Sequence, residues 1–370
     1  MEPTLGDVLR RYRWWLSAGI LLLVAVLIAV FLVTSEEQPS RGPDSTQRPG
    51  PPGSGPLTIV SMGDSTLSGE GAGDYTRGTD GKNGDWCHRS SHAAVKQTDL
   101  PKVTTRINLA CSGAGAEDVA LGGGTHYTEV SQARQLAQLI KDDHRVAAIV
   151  VAVGANNDPH FTDTINRCFQ AWLYPSRSSC REQVGDEFAD RVADMIPKVV
   201  TALEDIQQVL DEAGYEPGDT DIVLQSYASP LSPEIPEQLR NLNGCPFRSG
   251  DLRWMRSEAV TTLSSGLQEA ADQAGVRFLD LAHAGNGHEA CTGGKDASSE
   301  WFRRLTIEWD NLTEVERADH ALQESFHPNR RGHSQYGRCL TEFFAMDVDT
   351  GACVPGDDGQ LHAVDSPSTA

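Results

Sequence analysis

Ser65 stands in the stretch Ser61-Met62-Gly63-Asp64-Ser65-Thr66-Leu67-Ser68-Gly69-Glu70-Gly71, directly after the apolar run Leu57-Thr58-Ile59-Val60. A serine hydroxyl attacks a carbonyl only if a base takes its proton and donors hold the developing oxyanion. Candidates for both roles recur down the chain. Glu324-Ser325-Phe326-His327-Pro328-Asn329 offers a histidine as base. Leu109-Ala110-Cys111-Ser112-Gly113-Ala114-Gly115 is a small-residue loop whose backbone N–H groups can approach a ligand closely. Gly154-Ala155-Asn156-Asn157-Asp158 adds side-chain amides. Singly these read as polar turns, an Asn cap and a surface histidine. Together they supply the nucleophile, base and donors of acyl transfer.

The elements that must position them alternate. Strands are expected at 57 to 62, about 103 to 109, 147 to 153, 221 to 227 and 276 to 281, and helices near 129 to 143, 186 to 213 and 252 to 274, with Pro197 breaking or kinking the second. Mostly continuous apolar strands between helices indicate a parallel sheet covered on both faces, whose carboxyl edge is where ligands bind. Ser65, the 109–115 loop and the 154–158 loop each follow one of these strands, at that edge.

Composition narrows the setting. The 370 residues carry a formal net charge of -21, which argues against nucleic acid, whose phosphates require clustered Lys and Arg. Residues 14 to 33, WWLSAGILLLVAVLIAVFLV, are uncharged and mostly apolar, and as a helix would cover roughly 30 Å, the thickness of a bilayer core. Without an obvious small-residue cleavage site, the run is expected to be an uncleaved anchor over 14–34. Arg10, Arg11 and Arg13 put the amino-terminal residues 1–13 in the cytoplasm and everything after the span outside the cell. A Pro-, Gly- and Ser-rich linker is expected over 35–56, a folded domain over 57–354 and a disordered polar tail over 355–370. All eight cysteines (Cys87, Cys111, Cys168, Cys180, Cys245, Cys291, Cys339 and Cys353) lie beyond the anchor, and their even number suits full disulfide pairing. No C-x-x-C pair points to zinc, and His88 and His92 read as polar loop residues. Asn311-Leu312-Thr313 matches a glycosylation sequon.

The ordered set Ser65, Gly113, Asn156 and His327 resembles the blocks that name the SGNH, or GDSL, hydrolases. GDSTLSGEGA is similar to block I, NLACSGAGAEDV to block II, VGANND to block III and HPN with its following glycine to block V. WCHRS at 86 to 90 resembles a segment of the family's secreted actinobacterial esterases and lipases, and the likeness runs from about residue 57 to 345. The resemblance implies a flavodoxin-like three-layer α/β/α fold and ester hydrolysis through an acyl-enzyme, with neither metal nor cofactor. It assigns Ser65 as nucleophile, His327 as base, and the Ser65 and Gly113 N–H groups with the Asn156 amide as oxyanion hole. The family's usual Asp, three residues before the His, is here Glu324, expected to orient His327 unless a backbone carbonyl does so. Block III is usually Gly-x-Asn-Asp, so alignment from Gly154 selects Asn156, while an insertion would select Asn157. Secreted relatives, with proximity in sequence, suggest the pairs Cys87–Cys111, Cys168–Cys180, Cys245–Cys291 and Cys339–Cys353. No G-x-S-x-G elbow supports the larger α/β-hydrolase fold. The expected partners are the bilayer and an ester (lipid, acetylated polysaccharide or small molecule) met by a monomer. An acyltransferase using the same serine, or an inactive envelope-binding module, are the alternatives.

Overall fold

The computed structural model describes residues 50–308, 311 and 320–365. The expected anchor, the first part of the linker and most of the sequon lie outside the described residues. Among the described residues no helix is long and apolar enough to cross a membrane.

In chain order the strands are β1 Leu57–Gly63, β2 Thr105–Asn108, β3 Thr125–His126, β4 Glu129–Val130, β5 Arg145–Ala152, β6 Asp221–Gln225, β7 Arg277–Asp280, β8 Thr350–Pro355 and β9 Leu361–Asp365. The helices are α1 Ser65–Ser68, α2 Ala116–Val119, α3 Gln132–Lys141, α4 Phe161–Leu173, α5 Cys180–Glu212, α6 Ser249–Trp254, α7 Val260–Ala274 and α8 Arg330–Phe344. Seven strands form one sheet in the order β2-β1-β5-β6-β7-β8-β9, and every neighbouring pair is parallel except β8–β9. β3 and β4 form a separate two-stranded ribbon.

β5 reads RVAAIVVA, buried from Ala148 onward, because a central strand packed by helices on both faces leaves no side for water. Its register with β1 runs from Leu57 against Arg145 to Gly63 against Ala152, so the two strands end together. That shared end sets Ser65 and the 154–158 loop side by side. α5 lays Val192, Met195, Val199, Leu203 and Ile206 into the core at helical spacing.

Three expectations need correction. Pro197 does not break its helix, since α5 continues past it from Cys180 to Glu212. Residues from 355 onward are not a free tail: β9 pairs antiparallel with β8 from Gly351–Asp365 to Pro355–Leu361, and only residues 366–370 fall outside the description. Leu361, Ala363 and the Cys353 it closes against are too few to read as a strand by composition, and the sheet edge recruits them. The linker's last residues also pack. The Arg145 guanidinium donates to the Pro51 carbonyl at 2.9 Å, and the Ser54 hydroxyl to Asp143 at 2.9 Å. α4 and α8 were not read from the sequence.

The four disulfides join Cys87–Cys111, Cys168–Cys180, Cys245–Cys291 and Cys339–Cys353, the pairs the resemblance implied. Each stabilises by about 2–4 kcal/mol on the loop-closure scale. Cys339–Cys353 ties α8, just past His327, to β8.

Candidate active site

β1 ends at Gly63, whose φ of +124° and whose position 1.9 Å short of Ala152 O for any Cβ admit only glycine. The side chain of Gln132 grips this residue from α3, accepting from its N–H at 2.6 Å and donating to its carbonyl at 2.8 Å. Asp64 then caps α1, accepting from Thr66 N–H at 3.0 Å, so the chain turns sharply and Ser65 opens the helix. Asn108, from the end of β2, donates to the Leu67 and Ser68 carbonyls at 3.0 Å each and holds α1 down. The Tyr227 hydroxyl, beyond β6, donates to the other Asp64 oxygen at 2.6 Å. Desolvation of the fully buried Asp64 carboxyl raises its pKa to about 7 in spite of these bonds.

His327 Nε2 lies 2.8 Å from Ser65 Oγ. The ring arrives on a loop strapped to its neighbours: Phe302 bridges Pro328, Arg303 N–H donates to the His327 carbonyl at 2.8 Å, and Asn329 caps α8 through Arg331 and Gly332 N–H. Phe326 is left-handed, with φ of +62°, and is held by edge contact with Phe247. A non-glycine residue there is strained, and surrounding packing must impose it. Desolvation holds the His327 pKa below its ordinary value, opposed by Glu70, by the Ser325 and Gln323 carbonyls and by Glu324. A neutral imidazole is the form that accepts a proton.

Glu324 departs from its expected place. Its carboxylate receives the Tyr75 hydroxyl at 2.5 Å and pairs with Arg303, and His327 Nδ1 has no hydrogen bond to it. Both Glu324 oxygens are engaged away from the ring, and His327 Nδ1 has no hydrogen-bond partner in the protein, carboxylate or carbonyl.

The donors separate the two asparagines. Asn156 is half-buried, lines the same cavity as Ser65 and Gly113, and donates to the Ala114 carbonyl at 3.1 Å. Asn157 is buried and spent: its oxygen accepts from Ala116 N–H at 2.9 Å and its amide donates to Glu117 at 2.8 Å. Among the described residues, neither Ser65 nor Gly113 N–H is used in the protein's own hydrogen bonds.

The cavity beside Ser65 encloses about 350 Å³. Phe161, Ile165 and Phe169 line it from one face of α4, with Phe302, Leu305 and Phe326 opposite. Trp86 stacks on His320, whose side chain also borders the cavity.

Glu70, Tyr75 and Arg303 were not singled out from the sequence, and His88, in a loop as expected, is more than a surface polar residue. His88 is buried and its Nδ1 meets both Glu70 oxygens at 2.9 and 3.0 Å. The available signal was an acidic residue between two glycines directly behind the nucleophile. The Asp85, Cys87 and Glu129 side chains converge, but the Cys87 sulfur is in a disulfide and Glu129 is bonded to Arg89.

A serine on the turn after β1, a histidine bonded to it and donors on the loops after β2 and β5 of one mostly parallel sheet define a serine acyl hydrolase of the α/β class. The chain belongs to the GDSL-like lipase/acylhydrolase family, which it matches over residues 61–335. Among solved structures it is similar to an extracellular lipase from Streptomyces rimosus, at 20% identity and a TM-score of 0.49, covering 78% of this chain and 100% of that one. It is also similar to phospholipase A1 from Streptomyces albidoflavus, at 21% identity and a TM-score of 0.44, covering 76% and 95%. A putative arylesterase from Agrobacterium tumefaciens shares 12% identity at a TM-score of 0.38, covering 78% and 98%. A search of the curated proteins finds no match.

Proposed function

We propose that the protein is a membrane-anchored esterase whose outward-facing domain hydrolyses carboxylic esters with an apolar acyl group. The observation that carries the reading is the 2.8 Å contact of Ser65 Oγ and His327 Nε2 at an apolar cavity. In this reading His327 takes the Ser65 proton as Oγ attacks the carbonyl, and the oxyanion meets Ser65 N–H, Gly113 N–H and the Asn156 amide. His327 then protonates the leaving alcohol, and water repeats the sequence in reverse on the acyl-enzyme.

The cavity supports the acyl preference. At 350 Å³ it has room for roughly ten groups of water's ~30 Å³, far beyond an acetyl. Its aromatic and aliphatic walls favour methylenes, each worth about 0.8 kcal/mol when fully buried. The anchor rests on the uncharged run at 14–33 and the arginines before it, and the oxidising location on the four disulfides.

The test is a series of p-nitrophenyl esters from acetate to palmitate with full-length protein in detergent, with fluorophosphonate labelling of Ser65 alongside. Rising kcat/KM up to eight to ten carbons, roughly the filled cavity, is expected, together with labelling that Ser65→Ala removes. Labelling of folded Ser65→Ala, or a monotonic fall from acetate, would refute the reading. Fractionation of host cells tests the anchor: full-length protein pellets with membranes, and a chain starting at residue 50 does not.

A further inference from the structure

His327 Nδ1 has no hydrogen-bond partner in the protein, and the loop that carries the ring is tied through Gln323 to a carboxylate of another segment, Glu70. Glu70 follows α1 and has no exposed surface. Besides the two contacts from His88, its oxygens receive the Ser112 hydroxyl at 2.7 Å and the Gln323 amide at 2.8 Å. The Tyr75 hydroxyl lies between it and Glu324, 3.3 Å from Glu70. Three donor residues from separate segments therefore converge on one buried anion, and one of them, Gln323, opens the loop that ends in His327. Next to it Gly71, with φ of +82°, lets the backbone run so close that a Cβ would sit 3.1 Å from His327 Cβ and 2.7 Å from Pro328 O.

A side chain this deeply buried would ordinarily be neutral. Desolvation does push the Glu70 pKa up, but the bond and charge of His88, the charge of His327 and the Ser112 bond outweigh it and hold the carboxyl below its usual range. Burial favours the neutral acid, the convergent donors favour the carboxylate, and the balance lies with the carboxylate.

We propose that Glu70 is a positioning residue for His327, a buried anion that steadies the imidazolium and ties down the loop bearing the ring. The inference rests on Ser65 and His327 acting as nucleophile and base. The proton travels from Ser65 Oγ to His327 Nε2 and on to the leaving alcohol, and Glu70 exchanges none. The other charged and titratable groups around the pair are His88, Tyr75, Tyr127, Glu324, Arg303 and His333, with Asp64, Tyr227, His320 and Tyr336 on the cavity beside it. Of these, Glu324 is occupied by Arg303 and Tyr75, and burial pushes His333 down to about 4, leaving it uncharged near neutrality.

The test compares full-length wild type, Glu70→Gln and Glu70→Asp across pH 4 to 9 on one p-nitrophenyl ester. Removing the anion makes the imidazolium harder to form. In Glu70→Gln, kcat falls roughly tenfold, KM stays within about twofold, and the acid limb of kcat/KM moves to lower pH by about one unit. Glu70→Asp keeps the charge and its acid limb. An unmoved acid limb in folded Glu70→Gln overturns the proposal, since a merely structural role lowers activity without displacing a titration. If Glu70→Gln does not fold, Gln323→Leu cuts the same tie and is expected to lower kcat at least fivefold at unchanged KM, and wild-type kcat there overturns the proposal. Loss of activity in Ser65→Ala and His327→Ala, with no shift in Glu70→Gln, isolates failure of this inference from failure of the hydrolase reading.

Discussion

Asn156 and Asn157 are adjacent and chemically identical, and the structure assigns them opposite consequences. Asn157→Ala removes the acceptor of Ala116 N–H, a group at the buried start of α2, and the donor to Glu117. An orphaned buried N–H costs about 1–3 kcal/mol, and the lost bond to a charged, exposed Glu117 adds about 1 kcal/mol, for a total of about 2–4 kcal/mol. For a domain of about 300 residues, with an unfolding entropy of about 2.1 cal/mol/K per residue, that lowers Tm by roughly 3–6 °C. Asn156→Ala loses one part-buried bond to Ala114 O and is expected to cost under about 1 kcal/mol of stability. In the transition state, however, it removes an oxyanion donor, an effect of about 10²–10³ in kcat. Thermal denaturation and steady-state kinetics on both variants, with the same p-nitrophenyl ester, read the two axes independently. The expected pattern is a stable, slow Asn156→Ala and a less stable Asn157→Ala with kcat within about threefold of wild type when assayed well below its Tm. A large kcat loss in Asn157→Ala with near-normal Asn156→Ala would refute the reasoning and move the oxyanion donor by one residue.

Two further outcomes follow from the buried carboxylates. Glu324→Gln keeps an acceptor for Tyr75 but loses the ion pair with Arg303, so kcat/KM is expected to fall about 3- to 10-fold, well short of the roughly 10⁴-fold loss on removing a histidine-orienting acid; a thousandfold loss would mean that the carboxylate swings to His327 when substrate binds. Asp64, whose pKa rises from 3.8 to about 7 on folding, holds a proton in the folded chain that the unfolded chain has already released, so its contribution is full below about pH 4 and is lost as pH rises through about 7. Relative to Asp64→Asn, wild-type Tm should decline between pH 4 and 7 and run parallel above pH 8, and curves parallel throughout would show that Asp64 does not titrate in that window.

Much of the site was legible because it is local. Gly63-Asp64-Ser65 after a β-branched run specifies a strand, a turn only glycine can make and a serine at its mouth, all within a few residues. The strands β1, β5, β6 and β7 announced themselves as apolar runs, since a strand covered on both faces has no polar side to confuse the pattern. β8 and β9 did not, because TGACVP and LHAVD are short, carry few large apolar residues and become strands only through pairing with each other and with β7.

The sequence by itself determined the candidate nucleophile, the candidate base, the candidate donors and an even set of cysteines in a mostly parallel α/β scaffold, because each is written in residue type and short spacing. Only the tertiary structure decided which asparagine faces Ser65, that Glu324 turns to Tyr75 and Arg303, and that Glu70 gathers His88, Ser112 and Gln323 behind the base. Those outcomes depend on partners up to 253 positions apart. A buried charge goes where donors from separate loops converge to offset its desolvation, and spacing along the chain carries no record of that convergence.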